Sequence, residues 1–153
     1  MKSIIISLLL VFSSFAKEAV TEKEKKQMIE LLSQNEMLFE NYFSYNPEAI
    51  DKEAKELLKK FSAIESKKFK ADIDRGKKYL EKISKSASRE DNNKNYHLTN
   101  SFLIKLMNKY DFGPKYQAYY CPMVRKKWIQ NVEVKSRVHN PYDPSMPHCG
   151  GRL

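Results

Sequence analysis

Glycine is nearly missing from this chain: there are four in 153 residues, and only Gly76 falls in the long stretch from Thr21 to Tyr110. Neither a Walker phosphate loop nor a G-x-S-x-G nucleophile turn occurs. Cysteine is limited to Cys121 and Cys149, which excludes a Cys-x-x-Cys redox pair, a C-x-x-C-H haem attachment and the paired arms of a zinc ribbon. The H-E-x-x-H zinc helix is absent too. Arginine is scarce beside lysine, five against 23. A nucleic-acid reader prefers clustered arginine with aromatic residues interleaved, so no nucleic-acid partner is expected. Carboxylate neighbours such as Asp72 and Asp74, or Glu90 and Asp91, arise by chance at this charge density and receive no catalytic role. The reading is that the protein is not an enzyme.

One apolar run stands out, Ile4 to Phe12, preceded by Lys2 and followed by Ser13-Ser14-Phe15-Ala16. Nine residues are too few to cross a bilayer as a helix, and the small residues fit a cleavage site, so residues 1–16 read as a secretory signal peptide. The expected product is a single domain, residues 17–153, exported to the periplasm or beyond, with no membrane helix and no lipid-bearing cysteine at its start. It carries 27 basic against 19 acidic residues, a net charge of +8 on 137 residues. The charge brings an anionic partner, such as a cell-envelope surface, into consideration, although most of the lysines are mixed with Glu and Asp as on a solvated helix face.

The fold class expected is mainly α, a four-helix-bundle-like domain with an irregular C-terminal segment holding short β-strands. Thr21 and Glu24 have capping-box spacing, and Met28, Ile29, Leu32, Leu38 and Phe39 follow toward a core, ending near Tyr45. Asn46-Pro47-Glu48 opens a second helix whose inner face is Ile50, Ala54, Leu57, Leu58, Phe61 and Ile64. A third runs from about Lys67 to Ile83. The polar stretch Ser84 to Asn95 reads as containing a turn, and Leu98, Phe102, Leu106 and Tyr110 mark a fourth helix. Met28, Met37 and Met107 lie on apolar stripes and read as core; His97 reads as an ordinary helix residue.

Composition changes at Gly113-Pro114. Five of six prolines, three of four glycines, both cysteines, Trp128, His139 and His148 lie from there to the end. Helix is unlikely across Pro141, Pro144 and Pro147, and Trp128 to Val138 has the β-branched content for one or two strands. Two sulfur clusters, Cys121-Pro122-Met123 and Met146-Pro147-His148-Cys149-Gly150, flank that segment. Thiolate and thioether ligands suit Cu(I), with Cys121, Met123, Met146 and Cys149 as ligands and His148 or His139 as an added donor. Nearby Arg125, Lys126, Lys127 and Arg152 would favour the thiolate form if folding brings them close. The alternative is a Cys121–Cys149 disulfide in an exported interaction domain with a basic surface. Oxidation and thiolate coordination at the same two sulfurs exclude each other.

In order along the tail stand C-P-M at residues 121–123, Trp128, Asn140-Pro141-Tyr142, and Met146 with Cys149-Gly150. This series resembles an uncharacterised exported domain family, whose members occur alone or fused to periplasmic adaptor subunits of copper and silver efflux pumps. The resemblance implies Cys121, Met123, Met146 and Cys149 as the soft-ligand positions and metal-efflux components of the envelope as partners. Trp128, Asn140, Pro141, Tyr142 and Gly150 would then be the structural part of the motif. The chain departs from the family pattern after C-P-M, where Val124 is followed by Arg125-Lys126-Lys127.

Overall fold

Local capping chemistry sets the starts of the helices that begin at Glu22, Pro47 and Arg89. A computed structural model describes residues 16–153, so the leader reading lies outside the described residues apart from Ala16. In α1 (Glu22–Ser44) the Thr21 hydroxyl accepts from Glu24 N at 3.2 Å, and the Glu24 carboxylate accepts from Thr21 N at 2.9 Å. This reciprocal pair satisfies two otherwise orphaned donors. Tyr45 ends the helix in the left-handed region at φ 47°. Asn46 then caps α2 (Pro47–Ser62), accepting from Ala49 N at 3.1 Å, with proline at the first helical position.

The third and fourth helices depart from the periodic reading. α3 spans Lys70–Leu80, shorter at both ends than expected, with turns on either side of it. α4 spans Arg89–Lys109, so the expected turn occupies only the first residues of the polar stretch, before Ser88, and the rest of that stretch is helix. Ser88 caps it by accepting from Asp91 N at 3.0 Å. Asn92 clamps the preceding turn, donating to Ser84 O at 2.9 Å and accepting from Ser84 N at 3.1 Å. A four-residue repeat drifts about 40° per step around a helix, so Leu98, Phe102, Leu106 and Tyr110 do not form one inner face. Leu106 and Tyr110 are buried, whereas Leu98 and Phe102 are half-buried. The inner face instead runs through Asn92, Tyr96, Thr99, Asn100, Leu103 and Met107. Met37 is likewise not core: it is 53% exposed, because it lies opposite the buried stripe of Met28, Leu32, Asn35, Leu38, Phe39 and Tyr42.

The helices pack as α1 against α2 and α3 against α4. Gly76 faces α2: a Cβ there would lie 3.0 Å from Phe61 Cε1, tighter than ordinary packing, whereas its 3.5 Å distance to Phe102 Cβ on α4 is ordinary van der Waals contact. Among the described residues no helix is long and apolar enough to cross a membrane.

The C-terminal segment forms a three-stranded antiparallel sheet in the order β2-β1-β3, with β1 at Tyr116–Cys121, β2 at Lys126–Asn131 and β3 at Gly151–Arg152. Strand structure was expected across Trp128 to Val138; it reaches only Asn131, and residues 132–138 are turn and irregular backbone. β1 was not expected at all. The hairpin register pairs Tyr116 with Asn131 and Cys121 with Lys126. It is tied to α1 through Glu36, whose carboxylate accepts from Tyr116 Oη at 3.2 Å and Asn131 Nδ2 at 3.0 Å. It is tied to α4 through His97 Nδ1, which accepts from Lys127 N at 2.8 Å.

Tyr42, Tyr96 and Tyr142 are buried, and desolvation, the largest cause in each case, pushes their phenols above the ordinary value of 10.0. A raised folded-state value means that the stabilisation is complete below pH 10 and is lost as pH rises beyond it. In an ultraviolet alkaline titration, these three of the nine tyrosines should ionise only as the protein unfolds. Ionisation of all nine near the ordinary value, with the far-ultraviolet circular dichroism intact, would contradict this packing.

Candidate functional site

Cys121 ends β1 and is fully buried; Cys149 sits two residues before β3. They are joined in a disulfide with a Cα–Cα distance of 5.5 Å across a separation of 28 residues. Of the two states open to these sulfurs, the structure shows the oxidised one, and there are no free cysteines. The copper reading needs both as thiolates, so it concerns the reduced protein alone. Met123 lies in the hairpin turn and is 71% exposed. Met146 is half-buried and shares a turn with Cys149, whose N–H donates to Met146 O at 3.1 Å. Among the described residues no group of three or more His, Cys, Asp or Glu is arranged to hold a metal.

The remaining tail motif residues build the frame that brings the two cysteines together. Trp128 is fully buried, stacked on Tyr119 at 5.8 Å between ring centres and edge-on to Tyr142 at 6.2 Å. Gly150 lies against its ring: a Cβ there would sit 2.6 Å from Trp128 Cη2, and φ of 142° is a conformation that side chains rarely adopt. Asn140 is a clip. Its N–H donates to Pro147 O at 2.8 Å, its Nδ2 to Met146 O at 3.2 Å, and its Oδ1 accepts from Tyr142 N at 3.1 Å. Pro141 is buried beside it. Tyr142 Oη donates to Lys127 O at 2.6 Å, and Asn93 Nδ2 donates to Tyr142 O at 3.4 Å, joining the tail to β2 and α4.

The histidines divide. His97 is fixed as an acceptor between α4 and β2, and burial, the largest cause, holds it below the ordinary imidazole value. His139 and His148 face one another edge-on, with ring centres 5.7 Å apart and planes at 81°.

A second feature was missed in the sequence. On the α3–α4 seam, Arg75, Lys78, Tyr79, Lys82 and Phe102 line a groove of about 460 Å³ open to solvent. Tyr79 and Phe102 stack at 6.0 Å with planes 13° apart, and Lys82 Nζ lies 5.6 Å from the Tyr79 ring centre. Nearby lysines are neutralised: Lys70 pairs with Asp74 at 3.0 Å and Lys105 with Asp72 at 2.8 Å. Arg75, Lys78 and Lys82 have no such acidic partner among the described residues. Their spacing in the sequence, with Tyr79 among them, was legible as one helix face; what hid it was the abundance of lysine everywhere else.

Replacing both cysteines by alanine should lower unfolding free energy by about 3.6 kcal/mol, from the closure entropy of the loop, measured by urea denaturation of the oxidised parent and the variant. An unchanged midpoint would contradict a clamping role. Gly150→Ala should cost about 1–3 kcal/mol by the same measurement, since it adds strain and overpacks Trp128. Compared with known proteins, the chain matches no family model, no curated protein and no solved structure.

Proposed function

We propose that the protein is an exported, non-enzymatic binding domain in which the disulfide holds the tail on the helices and the α3–α4 groove takes an acidic segment of a partner protein. The observation that carries this reading is the set of three cations, Arg75, Lys78 and Lys82, left without acidic partners around the Tyr79–Phe102 pair. Arg75 and Lys78 lie on α3 and Lys82 in the turn just past its end, a span on the order of 10 Å that an extended peptide covers in about three residues. Carboxylates at that spacing would meet the cations while an apolar side chain between them rests on the two rings. The excess of basic charge over the whole chain would speed the encounter with such a segment.

A fluorescent peptide with Glu on both sides of a central Leu should bind the oxidised protein at low salt, and weaken steeply as salt is raised. The Lys78→Glu/Lys82→Glu variant should lose at least tenfold in affinity by fluorescence anisotropy, with its circular dichroism unchanged. Equal binding by parent and variant would remove the groove from the reading.

A second reading is favoured by the proximity of the two cysteines. With Cα atoms 5.5 Å apart, they would leave two adjacent thiols on reduction, with Met146 in the same turn as Cys149. Such a soft set suits Cu(I). In this reading the reduced protein carries the ion and passes it to metal-efflux components of the envelope. It predicts one Cu(I) retained per reduced chain under anaerobic conditions and none by the variant lacking both cysteines. Equal retention by the two would overturn it.

A further inference from the structure

We propose that His139 and His148 form a surface site for a divalent first-row ion such as Zn²⁺, built on the oxidised tail and using neither cysteine. The inference rests on neither the groove nor the copper reading. Its first support is distance. An imidazole nitrogen binds such an ion at about 2.0–2.1 Å, which places each ring centre about 3 Å from the metal. Two rings on one ion therefore have centres about 5–6 Å apart at tetrahedral or wider angles. The observed 5.7 Å lies in that range before any ion is bound.

Orientation is the second support. His148 Nδ1 is 2.8 Å from Val138 O. Donation from Nδ1 to that carbonyl fixes the tautomer and leaves the Nε2 lone pair as the ligand, the usual outer-shell arrangement for a metal-binding histidine. His139 is placed by its own backbone, whose N–H donates to Gln130 Oε1 at 3.0 Å, and its ring lies 5.6 Å from that of Phe43. Burial first, then the charges of Lys135 and His148, keep His139 below the ordinary imidazole value, so the neutral form that ligates is favoured. Glu40, ion-paired to Lys135 at 2.9 Å, acts on His139 in the opposite sense.

Rigidity is the third. The two histidines stand at the ends of one loop that the Asn140 N to Pro147 O bond closes at 2.8 Å, and the disulfide begins at the residue after His148. Little ordering is left for a bound ion to impose. The chain's positive charge opposes any cation, so affinity here must come from direct imidazole coordination. Imidazole suits zinc, copper(II) and nickel, and does not suit magnesium or calcium.

The test is a titration of the oxidised protein with ZnCl₂, followed by the side-chain nitrogen and proton resonances of the three histidines. His139 and His148 should shift together and saturate at one ion per chain, while His97 does not move. His148→Gln, a change at an exposed position, should weaken binding at least tenfold, and His97→Gln should leave it unchanged. Saturation without movement of the His139 and His148 rings, or parental affinity in the His148→Gln variant, would overturn the proposal.

Discussion

Everything that is built in the C-terminal segment depends on the burial of Tyr142. Its ring lies between the bundle and the sheet, 6.0 Å from Tyr96 on α4 and 6.2 Å from Trp128 on β2. Its hydroxyl, its N–H and its carbonyl are each bonded, to Lys127 O, Asn140 Oδ1 and Asn93 Nδ2. A buried phenol is costly unless its hydroxyl is partnered, so the ring fits in one orientation only. From that orientation follows the path of the chain on either side. Upstream, Asn140 closes the loop onto Pro147; downstream, the backbone returns along the outer edge of β1, where Gly150 passes the Trp128 ring and Cys149 meets Cys121.

The bundle receives this tail on a face that is polar by composition. Asn35 of α1 donates to Asn100 Oδ1 at 3.2 Å, Asn100 donates to Tyr96 O at 3.0 Å, and Tyr96 Oη donates to Asn35 O at 3.4 Å. Tyr42 stacks on Tyr96 at 4.3 Å and donates to Asn92 O at 3.0 Å. Amides and phenols in a core are destabilising when misaligned, so this cluster permits one register of α1 against α4 and penalises slippage by the loss of several hydrogen bonds at once. The aromatic rings from Tyr42 through Tyr96 and Tyr142 to Trp128 and Tyr119 then carry that register into the sheet.

These constraints separate the roles of the two ends of the molecule. The tail residues that the motif series singles out, Trp128, Asn140, Pro141, Tyr142 and Gly150, are used up in holding the disulfide and the hairpin; their polar atoms face inward or are bonded to backbone. What faces solvent differs from place to place: a hydrophobic tip at Met123, an imidazole pair at the tail loop, and a cationic groove over paired aromatics on the α3–α4 seam.

How much of this was legible depends on how far apart the interacting residues lie. The Thr21–Glu24 box and the Asn46-Pro47 start were readable because their hydrogen bonds join residues three apart. The core stripe of α2 was readable because its partners are all apolar. The first turns of α4 were not, since Asn92, Asn93 and Asn95 look like a loop until Ser84 and Tyr142 are in place to bond the first two. β1 was hidden because its burial does not alternate: Ala118 and Tyr119 are both buried, one against each side of the sheet. By itself, then, the sequence determined the caps of α1 and α2, the break at Gly113-Pro114 and the concentration of sulfur beyond it. Only the tertiary structure decided what those sulfurs become, because their meeting requires closing a separation of 28 residues through the hairpin and the Asn140–Tyr142 clip. No interaction between near neighbours in the chain can specify that closure.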